Sequence, residues 1–68
     1  MTFAEIFKTA RLTKKLTQQQ IADALHLDRS AIAHYEKGDA MPNARNIYKI
    51  CQILDISPDV LLNTDEND

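Results

Sequence analysis

Residues 16–38 read Leu16-Thr17-Gln18-Gln19-Gln20-Ile21-Ala22-Asp23-Ala24-Leu25-His26-Leu27-Asp28-Arg29-Ser30-Ala31-Ile32-Ala33-His34-Tyr35-Glu36-Lys37-Gly38. Thr17 followed three residues later by Gln20 has the form of a capping box, which starts a helix. Ile21, Ala22 and Leu25 give that helix an apolar face, and it should end near His26. Asp28 stands where a second N-cap belongs. Ile32 and Tyr35 mark the buried side of a helix over about 29–36, stopped by Gly38. Two short helices joined by so tight a turn cross steeply. Their backbones meet closely, and Ala22 is the small residue that allows it. Leu25, Leu27, Ile32 and Tyr35 close the corner from inside. Arg29, Ser30, Ala33 and His34 are left facing outward.

The flanks extend the helical reading. Thr2 with Glu5 makes another capping box. Phe3, Phe7 and Ala10 form the stripe of a helix over about 3–15. After Met41-Pro42, Asn43 caps a helix with Ile47, Ile50, Cys51 and Leu54 on its buried side. Ser57 then Pro58 is a third clean start, the Pro at the first helical position, and Val60, Leu61 and Leu62 make a short last helix. No stretch alternates with period two. The chain is therefore expected to be all-α: one compact five-helix domain over 1–63 and an acidic, disordered tail over 64–68.

Composition narrows the function. Sixty-eight residues leave room for one small core. The single Cys51 allows no internal disulfide, and its place on an apolar helix face makes it a small core residue. An unpaired cysteine and no secretory signal point to the cytoplasm. No apolar run approaches the ~20 residues of a membrane span. Two histidines and one cysteine are too few for a metal site. Ser30 and His34 lie one turn apart, but no acid accompanies them and an open helix face does not exclude water. No enzyme, cofactor or small-molecule ligand is expected. Net charge is −2, unevenly spread. Residues 1–38 carry six basic against four acidic side chains, and residues 39–68 carry two against six. A polyanion meets the local field, not the sum.

The window at 16–38 resembles the lambda-repressor-like helix-turn-helix family, the phage Cro and repressor group also called XRE-like. Leu16-Thr17-Gln18, Ile21-Ala22 and Tyr35-Glu36-Lys37-Gly38 carry the resemblance. Pro42, the helix of Ile47, Ile50 and Leu54, and Ile56-Ser57-Pro58-Asp59-Val60-Leu61-Leu62 extend it over about residues 3–62. Three positions depart from the family pattern. His26, Asp55 and Lys15 stand where glycine is common, and His is among the few other residues that visit left-handed backbone.

The resemblance implies a transcriptional regulator, a repressor in the first instance, that binds double-stranded DNA as a homodimer. Its third helix would enter the major groove of a palindromic operator. Arg29, Ser30, Ala33 and His34 become candidates for base contact, Arg29 toward guanine and Ala33 toward a thymine methyl. For Arg29 a local ion pair with Asp28 is the plainer alternative. Thr17, Gln18, Lys37, Asn43 and Arg45 become candidate phosphate contacts. Arg11 and Glu36 match a structural ion pair that orients the third helix. Val60 and Leu62 are surplus to so small a core and, joined by Ile53, are candidates for the dimer interface; the plainer alternative is that all three finish the monomer core. The competing reading is an antitoxin or adaptor acting through protein–protein contact.

Overall fold

The computed structural model of the chain describes residues 2–62, so the acidic tail expected at 64–68 lies outside the described residues. Five α-helices follow in order: α1 (Phe3–Thr13), α2 (Gln18–Leu25), α3 (Arg29–Lys37), α4 (Ala44–Leu54) and α5 (Pro58–Leu61). The fold is the lambda-repressor-like arrangement.

Each start is fixed by its own side chain. Thr2, Thr17, Asp28, Asn43 and Ser57 are the N-caps, and each accepts a hydrogen bond from a backbone N–H of the first turn. At Thr2 and Thr17 the capping box is complete, because Glu5 and Gln20 also accept from the cap backbone. Such a cap is worth about 1 kcal/mol to a short helix. That matters for α2 and α3, whose eight and nine residues are too few for helices stable alone.

The stops are equally local. Lys15, His26, Gly38 and Asp55 hold left-handed backbone, with φ of 59°, 57°, 87° and 56°. At all four, the next residue's N–H bonds back to a carbonyl five residues earlier: Leu16 to Arg11, Leu27 to Ala22, Asp39 to His34 and Ile56 to Cys51. This is the Schellman turn. It corrects one boundary: the first helix ends at Thr13 rather than near residue 15, because Lys15 takes the position that glycine usually fills.

α3 packs against α1 and α2, α2 against α4, and α5 closes against α4 and α1. Between them lie Phe3, Phe7, Ile21, Ala22, Leu25, Ile32, Tyr35, Ile47, Ile50, Cys51, Leu54 and Leu61, all buried. Phe3 stacks on Phe7, which meets Tyr35 edge-on at 6.2 Å between ring centres. That contact ties α1 to α3. Ala22 is fully buried at the crossing. Cys51 is buried and free, and desolvation raises its thiol pKa, so it behaves as a core residue. Among the described residues no helix is long and apolar enough to cross a membrane.

Candidate nucleic-acid interface

The outward face of α3 carries Arg29, Ser30 and His34, all exposed, and Ala33, half-buried. Helix period explains the division. Ile32 and Tyr35 turn into the core, and Ser30, Ala33 and His34 lie off that stripe.

The inner end of α3 is held by charge. Glu36 accepts from Arg11 twice, from Nε at 2.5 Å and from Nη2 at 3.0 Å. The two side chains are 9% and 5% exposed, so this is a buried ion pair. Arg11 spends a further donor on the Leu16 carbonyl at 2.7 Å. The pair therefore joins α1, the loop before α2 and the end of α3. A planar guanidinium fits this two-pronged arrangement better than an ammonium would.

Gln18 extends the chain of bonds. Its Nε2 donates to Glu36 Oε1 at 3.1 Å, and its Oε1 accepts from Arg29 Nη1 at 3.5 Å. One amide thus ties the start of α2 to both ends of α3. Gln18 is half-buried, and both polar atoms of its amide are engaged within the domain. At the start of α2, Thr17 and Gln20 satisfy each other. The N–H groups of Gln18 and Gln19 find no acceptor among the described residues. Helix N-termini in that condition suit anions. The start of α4 is similar: Asn43 accepts from Asn46 at 2.9 Å, and exposed Arg45 stands in the first turn. Lys37 is exposed at the end of α3.

Arg29 does not pair with Asp28. Asp28 instead accepts from the Ser30 hydroxyl and from the Ser30 backbone N–H at 2.9 Å. The hydroxyl bond first, and the backbone bond second, lower the Asp28 carboxyl pKa. His34 Nδ1 lies 3.3 Å from Asp39 Oδ2. Neither the Gln18–Arg29 link nor Asp39 was read from the sequence. Each joins residues on opposite sides of a turn, which helical period does not reveal.

Val60 and Leu62 are 53% and 46% exposed, on either side of fully buried Leu61. Ile53 is half-buried and packs against the core edge. Leu12, Met41 and Tyr48 are also large, apolar and exposed; the sequence had not singled them out. Among the described residues no three His, Cys, Asp or Glu side chains gather as a metal site would require.

Two short helices crossing tightly, the second presenting an open polar face, define a helix-turn-helix DNA-binding domain. The helix-turn-helix family model matches residues 7–61, and this chain belongs to that family, in its XRE-like branch. It is 42% identical over 66 residues to the uncharacterized HTH-type transcriptional regulator YqaE of Bacillus subtilis (strain 168), covering 97% of this chain and 57% of the relative. It is 30% identical over 67 residues to the HTH-type transcriptional regulator DicA of Escherichia coli (strain K12), covering 98% and 50%. The chain thus spans only about half the length of these two relatives. Among solved structures, the P22 c2 repressor in complex with synthetic operator 9T superposes with a TM-score of 0.88 at 26% identity, covering 96% of this chain and 98% of that one. The restriction-modification controller protein C.AhdI from Aeromonas hydrophila superposes with a TM-score of 0.79 at 33% identity, covering 88% and 91%.

Proposed function

We propose that this chain is a sequence-specific transcriptional repressor of the cytoplasm that binds a palindromic operator as a homodimer, with α3 in the major groove. The observation that carries the reading is the open face of α3, fixed in place by the Arg11–Glu36–Gln18 network. A recognition helix must be rigid to tell bases apart, and a buried, multiply bonded anchor supplies that rigidity.

In this reading Arg29 reaches guanine, since only one of its donors leans on Gln18. Ser30 gives its proton to Asp28 and so meets the groove as an acceptor. Ala33 meets a thymine methyl, and His34 completes the face. Phosphates are gripped at the starts of α2 and α4 by Thr17, the Gln18 backbone, Asn43 and Arg45, with Lys37 between them. Ile53, Val60 and Leu62 meet their copies across the two-fold axis. The half-sites then lie about 34 Å apart. The operator-bound P22 c2 repressor, alike over nearly the whole of both chains, supports this docking.

The test is selection from a random duplex library at ~150 mM salt, with the native chain, Arg29→Ala and Lys37→Ala. A palindrome should emerge. Arg29→Ala should relax one symmetric pair of positions, and Lys37→Ala should weaken all sequences alike. Enrichment of no motif would overturn the reading and favour a domain that works by protein–protein contact, as an antitoxin or adaptor does.

A further inference from the structure

Four helices end in left-handed backbone, but one ending differs from the rest. After Lys15, His26 and Asp55 comes an apolar side chain: Leu16, Leu27 and Ile56, each half-buried against the core. That is the usual companion of this turn. After Gly38 comes Asp39. Its backbone N–H donates to the His34 carbonyl at 3.0 Å, and its Oδ2 lies 3.3 Å from His34 Nδ1. Residues 34 and 39 are therefore joined twice. Both side chains are more than half exposed, at 54% and 58%, so the pair adds little to stability. A carboxylate beside a face that must approach phosphates is also an electrostatic cost.

We propose that Asp39 is a positioning residue that decides which base His34 reads. This rests on α3 being the recognition helix and adds the identity of one contacted base. A carboxylate only accepts, so it keeps a proton on Nδ1. A neutral imidazole has one N–H. Nε2, on the other side of the ring, is then left with its lone pair. In the major groove an acceptor pairs with an exocyclic amino group, adenine N6 or cytosine N4. It does not pair with guanine O6 and N7 or with thymine O4, which are acceptors themselves. Without Asp39 the ring proton moves between the two nitrogens, and His34 accepts either polarity.

Two measurements on the full chain test this at about pH 8, above the ordinary imidazole range. Nitrogen NMR of the free protein reads the protonated ring atom of His34. Nδ1 is expected in the native chain, with a shift toward Nε2 in Asp39→Ala; a native ring protonated on Nε2 overturns the proposal. Library selection is then run on the native chain, His34→Ala, Asp39→Ala and the double variant. The native chain should choose adenine or cytosine at one symmetric pair of positions. Each single variant should lose about fivefold or more of that preference, and the double variant no more than either. The rest of the motif and the melting temperature should stay unchanged. Guanine or thymine at those positions, or a preference that survives Asp39→Ala, overturns the proposal. If the native chain selects no motif, the recognition reading falls and the base assignment with it, while the NMR result separately judges the His34–Asp39 link.

Discussion

Glu36 accepts three hydrogen bonds, two from Arg11 and one from Gln18. Removing it strands a buried guanidinium whose remaining partner is the Leu16 carbonyl. Glu36→Ala should therefore cost about 3 kcal/mol, as breaking a buried pair from one side does. Urea denaturation checks it; a loss below about 0.5 kcal/mol, the scale of an exposed pair, would contradict it. Lys15 offers a gain instead. Left-handed backbone costs an ordinary L-residue about 1–2 kcal/mol, and glycine gives back part of that through its freer unfolded chain. Lys15→Gly should stabilise the domain by about 0.5–1 kcal/mol in the same assay. Asp55→Gly should gain less, because aspartate tolerates this backbone better. A destabilised Lys15→Gly would show that the lysine does something at this turn beyond filling it.

Among the elements, α3 shows how a cap links folding to pH. Asp28 accepts from the hydroxyl and the N–H of Ser30, and these bonds lower its pKa. A carboxyl whose folded pKa lies below its unfolded value, about 3.9 for aspartate, stabilises the fold above that value. The contribution is lost as pH falls through the folded pKa. Asp28→Asn still caps but does not titrate. The advantage of the native chain over Asp28→Asn should be largest near neutral pH and shrink in acid, as unfolding at pH 7 and about pH 3 would reveal. An equal difference at both pH values would contradict this. The five starts were legible beforehand because a capping side chain acts within three residues of itself, and Thr2, Thr17, Asp28, Asn43 and Ser57 announce their helices locally. The end of α1 was less legible. Lys15 is a good helix former, and its left-handed backbone together with the return of the Leu16 N–H to Arg11 stops the helix before it. The links from Gln18 to Arg29 and from His34 to Asp39 were hidden for the same reason. They depend on where a turn delivers a side chain, which neither composition nor period encodes.

At the scale of the whole molecule, the proposed homodimer would present two recognition helices and so read two half-sites. α5 is only four residues long, and Leu61, fully buried, pins it to the core. With Leu61 turned in, Val60 and Leu62 have no core left to join and stand in solvent. An apolar pair on a pinned helix suits contact with a second copy. Val60→Asp with Leu62→Asp should therefore weaken self-association at least about tenfold, because like charges would face each other across the axis. Sedimentation equilibrium checks this, with thermal unfolding as the control, since neither residue is in the core. Operator binding by the double variant should need more protein, while its salt dependence per bound chain should stay near the native slope, because neither residue is among the proposed phosphate contacts. A native chain that stays monomeric into the high micromolar range would argue against the homodimer.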